Sequence, residues 1–377
     1  MILKWLATIA ALALAAPVQA AGVEIRDYGV TRAGQPVREY TLRGPDGMVV
    51  RFLDLGGIVT AVEVPDRDGR MENVVLGLPD LAAYDTRNQD YYFGGIVGRY
   101  AGRIANARFT LDGREVRLQA NDGPNNLHGG SPNFITRAWR VEPLPGAEPG
   151  AVLHYSSANG EQGFPGRLDV AVTYRVLPGN ALRIDYRATT DAPTVLNLTN
   201  HSYFNLGGAD AGPVFGHRIR IDSDRIVAVG DGGIPTGELA PVAGTVFDFR
   251  AARLLGGCGG GEMPQTGGVC GYNHSWWLGE PTVEPRFAAR VTDPASGRTL
   301  EVLTTEPTVH AYVANYFPGT DRGAAGIVLE PHTGLALETQ HLPDGPNRPE
   351  FPSTILRPGE TFRSTTLYRF GVEADSD

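Results

Sequence analysis

Residues 197–208, NLTNHSYFNLGG, form the stretch that most clearly indicates how this chain folds and where its chemistry lies. Successive side chains of a β-strand point to opposite faces of a sheet, so as a strand this segment has one mostly apolar face and one polar face. The apolar face can pack on a core. The polar face suits the floor of a cleft that binds a hydroxyl-rich molecule, and it consists of Asn197, Thr199, His201, Tyr203 and Asn205. The alternative is a polar sheet face with one hydrogen-bonded histidine.

The segments on both sides of this stretch are short, β-branched or alternating, and turn dipeptides separate them. Val49–Leu53 and Leu168–Leu177 are typical strands, and residues 109–118 read as a hairpin around Asp112-Gly113. Only residues 79–84 predict a short helix. Gly and Pro, 49 and 28 residues, are spread evenly, which fits many turns and no linker. The pattern predicts an all-β sandwich or barrel, with residues 21–377 as a single domain.

The first twenty residues have a different composition from the rest. A short positive start at Lys4 precedes an apolar run at residues 5–16, and residues 18–20, VQA, match a small-x-small cleavage pattern. These features predict a secretory signal peptide over residues 1–20. No later stretch approaches the roughly 18 apolar residues of a membrane helix. We therefore expect a periplasmic or secreted protein that has no membrane partner.

Charge and cysteine content exclude further classes. The net charge of −9 argues against a nucleic-acid partner. In an oxidising compartment the two cysteines, Cys258 and Cys270, are expected to form a disulfide, with free thiols as the alternative. Two cysteines alone are a poor zinc signature.

One carboxylate lies within an apolar run, GLALETQ, at residues 334–340. On a strand, Glu338 shares its face with Ala336 and Gln340, and its neighbours would shield it from water. Shielding disfavours the ionised form of a carboxyl group, and a carboxylate with a shifted pKa suits a general base. The alternative is a glutamate at the rim of the protein, paired with one of the many arginines.

Five sequence blocks, taken in order, resemble the aldose 1-epimerase (galactose mutarotase) family. The longest begins LETQHLPDGPNRPEFPSTILRPGE, and the resemblance is spread from about residue 30 to residue 370. The blocks are residues 98–109, 125–130, 200–207, 271–278 and 337–370. The resemblance implies a large antiparallel β-supersandwich and an isomerase that interconverts the α and β anomers of free aldoses, without a cofactor or metal.

The resemblance also implies residue roles. Glu338 matches the general base and His201 the general acid. His128 matches a second histidine near the ring oxygen of the sugar, and Arg103 matches the substrate-binding arginine. Tyr203 would bind sugar hydroxyls or orient His201, as would Asn205.

Three positions depart from the family pattern. Gly102 replaces an asparagine before the arginine, Asn273 replaces an aspartate that binds sugar hydroxyls, and His310 replaces a glutamine. Asparagine keeps the size of aspartate and one acceptor but loses the charge. We therefore expect Asn273 to bind substrate, while the preferred aldose stays open.

Other functions compete with this interpretation. A non-catalytic, exported carbohydrate-binding protein would also be rich in Asn, Tyr and Trp, with Trp276 or Trp277 stacking on sugar. A glycosidase would need a second carboxylate opposite Glu338. A metal site would draw on His128, His201 and His274, although the sequence has no familiar metal-ligand spacing. A small aldose is the expected partner, and the protein is expected to be a monomer or weak homodimer.

Overall fold

The computed structural model describes residues 18–20, 22–256, 270–324 and 326–373. Most of the predicted signal peptide and Cys258 therefore lie outside the described residues. Cys270 is disulfide-bonded. Within the described ranges, no helix has both the length and the apolar character needed to cross a membrane.

Antiparallel strands make up most of the described chain. In chain order they are β1 Val18–Ala20, β2 Val23–Val30, β3 Pro36–Arg43, β4 Val49–Leu53, β5 Val59–Pro65, β6 Met71–Asn73, β7 Ile96–Val97, β8 Arg103–Ile104, β9 Arg108–Leu111, β10 Arg114–Arg117, β11 Asn126–Leu127, β12 Arg140–Leu144, β13 Gly150–Ser157, β14 Leu168–Leu177, β15 Ala181–Thr190, β16 Thr194–Val195, β17 Thr199–Asn200, β18 Tyr203–Phe204, β19 Arg218–Ile221, β20 Arg225–Val229, β21 Pro235–Pro241, β22 Arg253–Leu254, β23 Asn273–Trp277, β24 Arg286–Thr292, β25 Arg298–Thr304, β26 Thr308–Tyr312, β27 Leu335–Gln340, β28 Ile355–Leu356 and β29 Phe362–Val372.

Three large sheets organise these strands. The first is a meander of β1 to β6 in sequence order, and the second runs β12-β13-β14-β15-β29-β25-β24-β19-β22. The third runs β18-β27-β26-β23-β20-β21 and carries the pocket described below. Four two-stranded pairs, β9–β10, β8–β11, β16–β28 and β7–β17, connect and border the sheets. The predicted all-β antiparallel fold is confirmed.

One α-helix, α1 (Leu81–Tyr91), interrupts the described strands. Asp80 caps its first turn by accepting a hydrogen bond from the Ala83 N–H at 2.8 Å. The helix begins within residues 79–84, as predicted, but it extends to Tyr91. The sequence did not indicate this length, because only one side of the helix is buried and its apolar periodicity is weak. Single 3₁₀ turns occur at Ala105–Ala107, Phe134–Thr136, Glu161–Gly163, Val214–Gly216, Asp231–Gly233 and Gly345–Asn347.

A single large apolar cluster draws on all three sheets. It contains Phe52 from β4, Val172 from β14, Val302 from β25 and Trp276 from β23. Burial of each such side chain contributes on the order of 1.5–3 kcal/mol. Along β14 buried and half-buried residues alternate from end to end, which is the period-two pattern that the sequence predicted.

Residues 197–208 do not form the continuous strand that the sequence predicted. The segment splits into β17, which pairs with β7, and β18, which pairs with β27. Its polar side chains bond the backbone of neighbouring loops: Asn197 Nδ2 donates to Ala101 O, and Asn200 Nδ2 donates to Gly94 O. Such side-chain bonds compete with a regular strand ladder. Both faces of the segment are therefore buried, not only the apolar one.

Candidate active site

The third large sheet forms the floor of a pocket. Residues paired directly across neighbouring strands point to the same face, and His310 pairs with both Glu338 and Ser275. The pocket has about 870 Å³ of space including its open mouth, within the range of small-molecule sites. Every strand of this sheet contributes to the lining, through Tyr203, Val227, Val229, Pro235, Asn273, Ser275, His310, Tyr312, Glu338 and Gln340. Loops also supply Tyr92, His128 and His201, and β8 supplies Arg103.

Glu338 lies at the closed end of the pocket and is 2% exposed. Its strand alternates as the sequence predicted, because Leu337 packs in the core while Glu338 and Gln340 line the pocket. Its Oε2 accepts no hydrogen bond from the described residues. Burial raises the pKa of this carboxyl group to about 8, and the positive charge of Arg103 offsets only part of that effect.

His201 faces Glu338 across the closed end, with its Nε2 3.4 Å from Glu338 Oε1. The turn between β17 and β18 holds its backbone, because its N–H donates to Gly95 O and its carbonyl accepts from the Gly94 N–H. Its Nδ1 has no hydrogen-bond partner among the described residues. Burial lowers the pKa of this imidazole to about 4.

The two shifts together set the proton count of the pair. At neutral pH a carboxyl group with a pKa of about 8 keeps its proton, and an imidazole with a pKa of about 4 stays neutral. The pair therefore carries one proton, which burial places on Glu338. The predicted roles, Glu338 as base and His201 as acid, need the same number of protons but place this one on His201. Moving the proton from Glu338 to His201 requires one transfer across the 3.4 Å contact between Oε1 and Nε2.

His128 completes a cluster of titratable groups with this pair. Its backbone has a positive φ of 51°, and its Nδ1 accepts the Gly102 N–H at 3.2 Å. Because Nδ1 is an acceptor there, the proton of the neutral ring is on Nε2. Burial, followed by the nearby charge of His201 and Arg103, holds the pKa of His128 well below its usual range. His128 is thus a neutral hydrogen-bond donor that lines the pocket.

The metal site that the sequence analysis considered has a different composition in the structure. One potential ligand atom each from His128, His201 and Glu338 lies within 4.8 Å of the others, and His274 is not in this group. The Gly102 N–H uses the lone pair of His128 Nδ1, and Nε2 carries a proton. The cluster is therefore compact enough for an ion, but His128 is in the tautomer of a donor and not of a ligand.

Arg103 lines the pocket from β8, and an acidic partner fixes its guanidinium. Its Nε donates to Asp122 Oδ2 at 2.7 Å. Asp122 was not predicted from the sequence, because it lies nineteen residues away from Arg103 and nothing in its local sequence indicates a partner. The contact orients the remaining Arg103 N–H groups, which line the pocket near Gly233.

Asn273 and His310, two of the three residues that depart from the family pattern, are in contact. His310 Nε2 lies 2.8 Å from Asn273 Oδ1, and His310 Nδ1 lies 2.8 Å from Ser275 Oγ. Because an amide oxygen only accepts, His310 donates through Nε2 and accepts the Ser275 hydroxyl proton at Nδ1. Burial, followed by neighbouring His274 and Arg103, lowers the pKa of His310 to about 3, so this ring is neutral. Asn273 is left with its NH₂ group as the free donor.

Two predicted hydroxyl-binding residues have their polar atoms engaged elsewhere. The Tyr203 hydroxyl donates to Tyr91 O at 2.9 Å, while its ring lies 4.9 Å from the ring of His201. This arrangement favours an orienting role over hydroxyl binding. Asn205 donates to Gly212 O and Thr333 O and does not line this pocket. Trp276 is buried in the core, and neither Trp276 nor Trp277 lines the pocket.

Sequence reasoning missed one aromatic wall of the site. Tyr92 follows α1 in the left-handed conformation, with φ of 62°. Its ring lies 4.6 Å from His128 and 5.8 Å from His201. A tyrosine just after a helix and before Gly94-Gly95 was the only local signal, and that signal is common to ordinary helix ends.

Comparison with known proteins gives a consistent family assignment. Residues 38–369 match the family model described as Aldose 1-epimerase. Galactose mutarotase of Rattus norvegicus is 42% identical over 339 residues, which cover 90% of this chain and 95% of that protein. Aldose 1-epimerase of Escherichia coli K12 is 40% identical over 346 residues, which cover 90% of this chain and 97% of that protein.

Solved structures share the fold over nearly their full length. Galactose 1-epimerase from Lactobacillus acidophilus NCFM superposes with a TM-score of 0.81 at 27% identity, covering 94% of this chain and 100% of that one. The GalM/aldose epimerase homologue from C. elegans superposes with a TM-score of 0.79 at 28% identity, covering 89% and 98%. The predicted mutarotase-like fold is confirmed.

Proposed function

The chain belongs to the aldose 1-epimerase family, and on this basis we propose that it interconverts the α and β anomers of a free aldose such as galactose or glucose. The observation that carries the proposal is the buried contact between His201 Nε2 and Glu338 Oε1, 3.4 Å long, in the wall of a sugar-sized pocket. A mutarotase needs one acid and one base on the same pyranose ring. This pair holds one proton and can supply both.

The proposed ring opening uses Glu338 as base and His201 as acid. Once the shared proton is on His201, Glu338 removes the proton of the anomeric hydroxyl O1, and the electrons of that O–H bond form the C1=O1 double bond. The C1–O5 bond breaks as His201 Nε2–H protonates the ring oxygen O5. Each positioned proton transfer contributes typically ~10²–10⁴ in rate.

Ring closure reverses both transfers after a rotation. The open-chain aldehyde turns about the C1–C2 bond and presents its other face to O5. His201 takes back the O5 proton as O5 attacks C1, and Glu338 returns a proton to O1. The protein ends the cycle with the single proton that it had at the start.

The other pocket residues bind and orient the sugar. His128 Nε2–H is placed to donate to an oxygen on the ring, and Arg103 offers further N–H donors while Asp122 holds its guanidinium. Asn273 offers an NH₂ donor, because His310 occupies its oxygen. A donor-rich wall matches a substrate whose hydroxyl oxygens all accept hydrogen bonds.

A non-catalytic sugar-binding protein does not account for this site as well. Burying a carboxyl group next to an imidazole without full hydrogen bonding is unfavourable for stability, and a lectin gains nothing from it. An acid–base catalyst does gain from this burial, since it needs groups with shifted pKa values.

Polarimetry of freshly dissolved α-galactose and α-glucose, with wild type and Glu338→Gln, tests the proposal. Wild type should speed anomerisation well above the buffer rate. Glu338→Gln should lower kcat by at least about 10²-fold, because an amide cannot remove a proton, while equilibrium sugar binding persists. Glu238→Gln, the same change at an exposed position outside the pocket, is the control. Near-native turnover in Glu338→Gln would exclude Glu338 as the base.

Export remains a proposal that rests on residues 1–20. Their positive start, apolar run and VQA site have the pattern of a cleaved signal peptide. Intact-mass measurement of the protein purified from its native host tests it: a mature N-terminus near residue 21 supports export, and a full-length chain contradicts it.

A further inference from the structure

Gln340 is a polar side chain of the pocket that the proposed mechanism does not use. It lines the pocket from β27, two residues beyond Glu338 and on the same face of the strand. It is 1% exposed, and its Oε1 has no hydrogen-bond partner among the described residues. A buried amide oxygen without a partner is unfavourable. Its place in the pocket wall therefore indicates a ligand group that donates to it.

The wall around Gln340 closes one end of the pocket. Leu342, just after β27, is buried in a cluster with Val227 of β20 and with Phe351. Two strands, β26 and β23, separate β27 from β20, so the chain that follows β27 crosses the face of the sheet here. Pro343 lies on the same crossing and lines the pocket. A ligand atom that faces Gln340 therefore faces a wall and not the mouth.

The position of His201 sets which part of the sugar faces Gln340. Carbon C1 has two neighbours in the pyranose ring, O5 and C2, and His201 acts on O5 in the proposed mechanism. The His201 ring lies 4.9 Å from Tyr203, and Tyr203 pairs with Ala336. Ala336 and Gln340 lie on opposite sides of Glu338 along β27. With O1 at Glu338 and O5 on the Ala336 side, C2 and its hydroxyl lie on the Gln340 side.

The spacing along β27 fits two adjacent sugar oxygens. Residues two apart on a strand are about 7 Å apart. Two O–H···O hydrogen bonds of about 2.7 Å each, joined through O1 and O2 on neighbouring carbons, span such a gap along a bent path. Glu338 and Gln340 can therefore contact O1 and O2 of one ring at the same time.

Resting on the proposed function, we propose that Gln340 recognises the C2 hydroxyl of the sugar, and that the substrates are aldoses in which this hydroxyl is free. The O2–H group donates to Gln340 Oε1, the unused acceptor on this side of the anomeric carbon. A 2-deoxy sugar leaves that oxygen without a partner. A 2-acetamido sugar places a bulky group against the closed end of the pocket.

The experiment measures anomeric exchange by saturation-transfer NMR, which needs no pure anomer, and subtracts the rate in buffer. It compares kcat/KM for galactose, 2-deoxygalactose and N-acetylgalactosamine. In wild type, kcat/KM for 2-deoxygalactose should be about tenfold below that for galactose, the size of one hydrogen bond. N-acetylgalactosamine should show no enzyme-dependent exchange.

Two variants assign the contact to the Gln340 amide. Gln340→Met keeps the approximate size of the side chain but removes its oxygen, so kcat/KM for galactose should come to within about threefold of that for 2-deoxygalactose. Gln35→Met, the same change at an exposed position outside the pocket, should keep the wild-type ratio. Far-UV circular dichroism checks that both variants fold.

Two outcomes would overturn this inference and leave the proposed function intact. One is a wild-type enzyme with similar kcat/KM for all three sugars, a comparison that needs no variant. The other is an equal loss for galactose and 2-deoxygalactose in Gln340→Met, which would mean that the amide only supports the strand. Absence of wild-type activity on galactose would instead refute the proposed function, and calorimetric binding of galactose against 2-deoxygalactose would still measure the C2 contact.

Discussion

Glu338 and His201 show how one physical cause, burial, shifts two neighbouring groups in opposite directions. Removal from water disfavours the charged form of each, so the pKa of Glu338 rises to about 8 and the pKa of His201 falls to about 4. At any pH between about 4 and about 8, the pair holds one proton. In the proposed mechanism, one proton is the count that provides an acid and a base together.

The pH dependence of the reaction follows from this count. Below about pH 4 both groups are protonated and no base remains, and above about pH 8 neither is protonated and no acid remains. We expect kcat/KM to be level between these limits and to fall on both sides, as a bell-shaped profile of the free enzyme. Initial rates at constant ionic strength over pH 3.5–9.5 measure it. A decline that is already half complete near pH 6.5 would indicate an ordinary imidazole instead.

The sequence identified the reactive residues better than it identified their partners. Glu338 was marked by its position in an apolar run, and His201 by its polar neighbours and the family resemblance. Asp122 and Tyr92 were missed, because each acts through a contact that only the folded chain creates. His310 was noted only as a departure, although the sheet register places it beside Glu338.

At the level of elements, strands bounded by clear turns were predictable and the state of short apolar runs was not. Val49–Leu53 and Leu168–Leu177 have the predicted bounds. Residues 74–76 and 245–249 have the β-branched or aromatic residues of a strand, but they form none within the described chain. Both are apolar runs that pack in the core from loops, and a short apolar run does not distinguish a strand from a buried loop.

Helix α1 connects local stability to the site. Its C-terminal end supplies Tyr92, which packs on His128, and the Tyr91 carbonyl, which accepts the Tyr203 hydroxyl. The Asp80 cap fixes where the helix begins. A weaker cap should therefore affect the aromatic wall of the pocket as well as the helix.

Asp80→Ala should lower the free energy of unfolding by about 1 kcal/mol, because the first turn loses the acceptor for the Ala83 N–H. Asp80→Asn keeps a side-chain oxygen and serves as the matched control. Urea denaturation followed by far-UV circular dichroism gives both values. Identical midpoints for the two variants would show that the cap does not stabilise the helix in this protein.

The whole molecule is built so that the pocket stands on a sheet that is itself part of the core. Trp276 of the third sheet, Phe52 of the first and Val302 of the second belong to one apolar cluster. In β27, Glu338 lies between Leu337, which packs in the core, and Thr339, which is buried. The position of Glu338 therefore depends on the packing of all three sheets.

A shared core has a consequence for unfolding. Since the large apolar cluster of the described residues includes side chains from all three sheets, loss of one sheet exposes the buried faces of the others, and we expect a single cooperative transition. Tryptophan fluorescence of Trp139→Phe reports mainly on Trp276 and Trp277, and that of Trp276→Phe weights the signal toward Trp139, which packs on Phe134 and Tyr155. For each variant, the urea midpoint from fluorescence should coincide with the urea midpoint from circular dichroism of the same variant. Separate midpoints would mean that the sheet carrying the pocket unfolds independently, and the single-domain interpretation of residues 21–377 would then be wrong.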